Sequence, residues 1–258
     1  MCDIDATPLS CLREPFSSLS HIVGACIFAA LAVLLIRRGR GDRLRTISLA
    51  VMAYVSIQTL IISSIYHSLW PGPYRELMLR VDVAGIFFVI AGSITPVHVI
   101  LFSGPERWAP VVVAWIAAIG GAILRISYFE SLPSVAGIAI FLAFGWGAAV
   151  TAVVLWRRFG WKFIRYAVLA GLSYTVGAIM LLLHQPIVIN GVIGPHEMWH
   201  LAVLTGLGMH WRFVFQFASG RVAVANSALS TSSMSAPMPG HLIPIASLDT
   251  GRPIRDVA

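Results

Sequence analysis

Runs of about twenty apolar residues, separated by short polar breaks, fill most of the chain. Seven of them are long enough to cross a hydrocarbon layer of roughly 30 Å as helices. They lie near 20–37, 47–70, 80–102, 108–127, 134–156, 163–184 and 196–217. The breaks carry turn and charge signals: RRGRGDRLR at 37–45, Pro71-Gly72-Pro73, Gly104-Pro105, Ser131-Leu132-Pro133, and Asn190-Gly191 with Gly194-Pro195. Pro195 suits the first turn of the last helix, where its missing N–H costs nothing. Small residues inside the runs, such as Gly120-Gly121, Gly145, Gly147, Gly206 and Gly208, predict close helix packing in lipid. The pattern predicts an all-α integral membrane protein, a bundle of seven transmembrane helices. A short N-terminal tail (1–19) precedes the bundle (20–217), and a Ser/Ala/Pro/Gly-rich tail expected to be disordered (218–258) follows it.

Composition agrees. Of the 258 residues, 58% are hydrophobic and 11% charged, and the mean hydropathy is +0.84. A soluble domain carries about 25% charge, so lipid is the expected solvent. The net charge of +7 would suggest nucleic acid in a soluble protein. Here the basic residues cluster in the breaks, as membrane topology requires, and no nucleic-acid partner is expected. Three cysteines, Cys2, Cys11 and Cys26, form no CxxC pair, and Cys26 is expected to be ordinary packing. The first 19 residues lack a basic n-region and an apolar h-region, so the first helix is expected to act as its own insertion signal.

Counting Lys and Arg orients the chain. The end that holds the N-tail and the 2–3, 4–5 and 6–7 loops carries four: Arg13, Arg75, Arg80 and Arg125. The other end carries eleven: Arg37, Arg38, Arg40, Arg43, Arg45, Arg107, Arg157, Arg158, Lys162, Arg165 and Arg221. The positive-inside rule then predicts a multi-pass plasma or bacterial inner membrane protein with its N-terminus outside and its C-terminus in the cytoplasm.

Ionisable groups inside lipid are costly, at about 2.5–3.5 kcal/mol or more each, so those within the spans point to function. Alternating topology brings His21, His67, Asp82, His196 and His200 to a similar depth at the N-terminal end of the bundle. His196 and His200 are four apart and share one helix face, and Ser63 and His67 have the same spacing. His67, His196 and His200 are therefore candidate ligands of a tetrahedral Zn²⁺ whose fourth position takes water. Asp82 is a candidate general base toward that water. His98, His184 and His210 lack a partner at ligand spacing and are expected to be hydrogen-bonded packing residues. The segment His196-Glu197-Met198-Trp199-His200 also spells HExxH, the zincin signature, with Glu197 as base. No acidic third ligand follows it outside the tail, and no second Asp-bearing motif accompanies it.

Four motifs together resemble the hemolysin III-like proteins, related to the progestin and adipoQ receptors and more distantly to alkaline ceramidases. They are E-x2-S-x3-H-x2-G at Glu14, Ser17, His21 and Gly24; S-x3-H at Ser63 and His67; D-x2-G-I-x5-G-S-x2-P from Asp82 through Gly85, Ile86, Gly92, Ser93 and Pro96; and H-x3-H at His196 and His200. The resemblance spans roughly 14–215, and the receptors usually have Asn where Ser17 stands. It implies a seven-helix bundle with zinc on the three histidines near one membrane face. It also implies Asp82 beside the zinc-bound water and Ser63 supporting it as catalytic residues. Related receptors and ceramidases associate this site with hydrolysis of lipid amides. Adiponectin-type receptors are described with the zinc side in the cytoplasm, whereas the charge count here places it outside.

The expected function is therefore a membrane-embedded, zinc-dependent hydrolase of lipid amide or ester bonds, with a membrane lipid as substrate or ligand. The alternative is a lipid-sensing, receptor-like membrane protein with structural zinc. A pore-forming hemolysin fits less well, because the helix interiors are polar mainly near one end. An intramembrane metalloprotease fits less well for want of its second motif.

Overall fold

The structure, a computed structural model, describes residues 12–189, 193–223 and 242–244. Among these residues eight helices form: α1 (Pro15–Arg38), α2 (Arg43–Ser68), α3 (Pro73–Leu101), α4 (Gly104–Ser127), α5 (Ser134–Trp146), α6 (Ala149–Phe159), α7 (Trp161–Leu183) and α8 (Pro195–Phe215). The expected breaks recur at the helix ends. Pro15, Pro73, Pro105 and Pro195 each stand in a first turn, where a missing N–H is tolerated. Asp42 caps α2 by accepting the Arg45 N–H at 2.7 Å.

Six segments are long and apolar enough to cross a membrane: α1, α2, α3, α4, the stretch Val135–Phe159, and α7. The seventh expected span is α8. At 21 residues it is long enough, but it is not among the six. It carries His196, Glu197, His200, His210 and Arg212, and these polar groups are what set it apart from the other helices.

Two other boundaries differ from the sequence pattern. The expected fifth span is split into α5 and α6 by a turn at Gly147-Ala148. There the Ala148 N–H donates to Gly145 O and the Gly147 N–H to Ala143 O and Phe144 O. The low helix propensity of Gly145 and Gly147 weakens the helix at the midpoint of an otherwise uninterrupted apolar run. In addition, α3 starts at Pro73 and not near 80, so Asp82 lies more than two turns inside its helix. The polar Arg75, Glu76 and Arg80 do not end the helix; they decorate its first turns.

Consecutive helices pack as antiparallel neighbours along α1–α2–α3–α4. α7 packs broadly on α8, and α8 returns to α1. Small residues permit these approaches. A Cβ on Gly92 would sit 2.3 Å from a Val55 methyl, and one on Gly24 would sit 2.5 Å from a Leu204 methyl. Leu35, Leu49, Met52, Leu207, Trp211, Phe213 and Phe217 fill the core at the end of the bundle opposite the histidines. The Trp211 indole N–H donates to Ser56 Oγ at 3.3 Å. The outer surface is apolar, with Val113, Ile116 and Ile123 of α4 all exposed, as a lipid-facing wall requires. Cys26 points outward on α1 and is not part of the packing. Cys2, Cys11 and Asn190-Gly191 lie outside the described residues. Of the segment 218–258, the described residues hold a short antiparallel pair, β1 (Arg221–Ala223) with β2 (Leu242–Pro244); residues 224–241 and 245–258 lie outside them.

Candidate metal centre

Four chain segments meet at one end of the bundle: the start of α1, the end of α2, the first turns of α3 and the start of α8. The Glu14 N–H donates to His67 O at 3.1 Å and ties the first two together. At the start of α8, one Glu197 carboxylate oxygen accepts the Gly194 N–H at 2.9 Å and the other accepts the Ser17 hydroxyl at 3.4 Å. Glu197 thus caps the helix and links it to α1, with one carboxylate oxygen engaged by each partner. The HExxH spelling does not place that carboxylate as a base between the histidines.

The cap sets the helix that carries His196 and His200. Their Nε2 atoms lie 3.1 Å apart. His67, from the last turn of α2, brings its Nε2 to 3.4 Å from that of His196. One ligand atom from each of the three rings falls within 4.8 Å of the others. Zn–N bonds of about 2.0–2.1 Å in a tetrahedron put neighbouring nitrogens roughly 3.3 Å apart. Two of the three separations bracket that value and the third lies within 4.8 Å, so the three residues could hold one divalent ion. His67 and His200 are almost fully buried. The chemistry of the donors, three imidazoles and no thiolate, suits Zn²⁺.

Glu14 orients this set. One of its carboxylate oxygens accepts from His67 Nδ1 at 2.5 Å and the other from Arg75 Nη2 at 2.6 Å. Arg13 adds a longer contact of 3.5 Å. The His67 hydrogen bond is the largest cause holding the Glu14 carboxyl down at about 2; the charges of His67, Arg75 and His196 add to it and burial opposes it. The group is therefore an acceptor at neutral pH, which assigns the proton to Nδ1 and leaves Nε2 free to ligate. Sequence reasoning had Glu14 as a motif position without a role. The usable signal was its place immediately before a helix that starts level with His67.

Asp82 and Ser63 interact across the α2–α3 interface, and Asp82 is near enough to His67 for their charges to couple. Asp82 is not one of the three clustered ligands. His21 is brought to the same place but not into the ligand set. Its ring lies 4.0 Å from that of His200, centroid to centroid, and neither of its nitrogens has a hydrogen-bond partner among the described residues. The remaining described histidines serve packing or turns. His98 bonds Glu106 O and Thr151 Oγ1, and His210 bonds Ser93 O. His184 takes a left-handed conformation after α7.

The family description "Haemolysin-III related" matches residues 9–211. Hemolysin-3 of Bacillus cereus is 27% identical over 199 residues, covering 76% of this chain and 88% of that protein. A Hemolysin-3 homolog of Bacillus subtilis (strain 168) is 21% identical over 196 residues, covering 75% and 89%. The matched region runs from just before Glu14 to beyond His200 and so contains every residue of the cluster. With this much of the chain matched, the protein belongs to the haemolysin-III related family.

Proposed function

We propose that this protein is a membrane-embedded, zinc-dependent hydrolase acting on an amide or ester bond of a membrane lipid. One observation carries the reading: three imidazoles from α2 and α8 bring ligand atoms within 4.8 Å of one another, and no fourth described Cys, His, Asp or Glu joins them. A closed structural site fills all four positions from the protein, whereas a catalytic one keeps a position for water or substrate. His67, His196 and His200 would hold the metal. When bound, it supplies Lewis-acid activation of water and of a substrate carbonyl.

The chain's own groups do the rest. Glu14 and Arg75 hold the His67 ring in the ligating tautomer. Asp82 takes a proton from the attacking water at a carboxylate oxygen, and the Ser63 hydroxyl bonds that carboxylate. The apolar outer wall lets a lipid approach from the bilayer and excludes bulk water. By the charge count, this end of the bundle faces outward and the C-terminus lies in the cytoplasm.

The test is fatty-acid release by the purified chain from a lipid panel that includes ceramides, before and after chelation and zinc return. Release that follows zinc supports the reading. No release from any lipid at full metal occupancy would sink it.

A further inference from the structure

The opposite end of the bundle holds a second built feature. Between the C-terminal ends of α1 and α8 is a cavity of about 420 Å³ lined by Leu34, Arg37, Arg38, Arg212 and Phe215. Three of its five lining side chains are guanidinium groups and none is a carboxylate. Twelve residues separate His200 from Arg212 and sixteen separate His21 from Arg37, so at 1.5 Å per residue the cavity lies about 18–24 Å along the helices from the histidines. It is not an annex of the metal centre.

The three arginines are not equivalent. Arg38 is fixed: its Nη1 donates to Phe215 O at 3.1 Å, and its guanidinium lies 5.6 Å from the centre of the Phe215 ring. Arg212 lies over Tyr166 at 5.8 Å, and the Tyr166 hydroxyl accepts from Arg165 at 3.3 Å. Arg37 is exposed, and its guanidinium makes no hydrogen bond or ion pair with any described residue. The two described carboxylates at this end are already used: Asp42 caps α2 through the Arg45 N–H, and Glu106 pairs with Arg158 at 3.2 Å. The cavity therefore gathers positive charge from two ends of the sequence, and among the described residues no carboxylate lines it. Topology alone does not require this, since the positive-inside rule asks for arginines at this end but not for their convergence on one cavity.

We propose that this cavity binds a phosphate group, presented by the headgroup of an acidic phospholipid. Arginine forks match phosphate oxygens in pairs, and Arg38, held on Phe215 O, stands beside the exposed Arg37 and Arg212 as a seat with two further donors. The surroundings select a lipid. One turn deeper on the same face as Arg37 stand Val33 and Leu34, both exposed outward. Charge at the rim with bare hydrocarbon beneath it matches a phosphate followed by acyl chains, and basic pockets between helices at a membrane surface hold acidic headgroups.

The experiment uses the full chain in neutral detergent. Bound dioleoyl-phosphatidylglycerol is counted by native mass spectrometry and titrated by thermal shift, beside dioleoyl-phosphatidylcholine and inorganic phosphate. The Arg37→Gln/Arg212→Gln variant removes two exposed charges without touching the Arg38–Phe215 bond. The Arg43→Gln/Arg157→Gln variant removes the same charge outside the cavity. We expect one tightly held phosphatidylglycerol, at least tenfold weaker binding in the first variant, less than a twofold change in the second, and no competition from phosphatidylcholine. Phosphatidylglycerol binding tenfold tighter than inorganic phosphate assigns the ligand to lipid. Equal affinity for inorganic phosphate, still lost in the first variant, assigns it to soluble phosphate at the same seat. Unchanged binding in the first variant, or an equal fall in both, overturns the proposal.

Discussion

The carboxylate of Glu14 accepts the Nδ1 proton of His67, so a residue preceding the first helix sets the ring of one in the last turn of the second. The same carboxylate holds Arg75 at the start of α3. Three helix ends are thereby joined through one acidic group, on the opposite side of the His67 ring from the nitrogen that faces His196.

Replacing that group should loosen the metal more than the fold. Glu14→Gln keeps the shape but donates poorly matched hydrogen bonds, and loss of such an outer partner costs about 10–100-fold in metal affinity. Competition with a chromogenic chelator measures it. Affinity equal to wild type would show that His67 needs no help from α1.

Zinc should stabilise the chain in proportion to its affinity. An ion at one hundred times its Kd adds about 2.7 kcal/mol to unfolding, visible as a rise in melting temperature on zinc return to chelated protein. His196→Ala/His200→Ala should abolish the rise and the stoichiometric metal. An undiminished rise in the double variant would move the ion elsewhere.

Asp82→Asn separates chemistry from binding. Asp82 lies beside His67 and Ser63 and outside the ligand set, so the variant should retain its metal. A lost general base lowers turnover by about 10²–10⁴-fold. Metal content measured beside fatty-acid release decides the matter, and a variant that loses both together would make Asp82 a structural residue.

Glu197→Ala tests the HExxH spelling. The carboxylate caps α8 and bonds Ser17, so its loss should cost about 1 kcal/mol in thermal stability, with the metal retained and turnover reduced only modestly. Complete loss of turnover in a well-folded, metal-loaded variant would make Glu197 the base after all.

Gly92→Ala should destabilise the bundle by about 1–3 kcal/mol, the range for overpacking, because its Cβ would meet Val55. Combining it with Val55→Ala should recover most of the loss. Thermal unfolding in detergent reads both, and a neutral single variant would show that α2 and α3 can separate freely.

Part of the site was legible because it is local. His196 and His200 share a face by helical spacing alone, and alternating spans bring His67, Asp82 and His21 to their level. Depth does not resolve direction, however. His21 stands at the expected height yet contributes a ring against His200 and not a ligand. Glu197 sits inside a catalytic spelling yet serves as a cap, because at the start of a helix its carboxylate meets free N–H groups.

By itself the sequence determined that this chain is a helical membrane protein and where most of its helices lie, since lipid leaves the backbone no partner but itself over some twenty residues. It also paired the two histidines of α8. Only the tertiary structure decided how near His67, already a candidate by depth, comes to them, that Glu14 and Arg75 stand behind it, that a polar α8 packs between α7 and α1, and that Arg37 and Arg212 share a cavity. Spacing within a helix follows from local geometry. Contacts between residues more than fifty positions apart depend on how closely two helix faces approach, which small residues such as Gly24 and Gly92 set one methyl at a time.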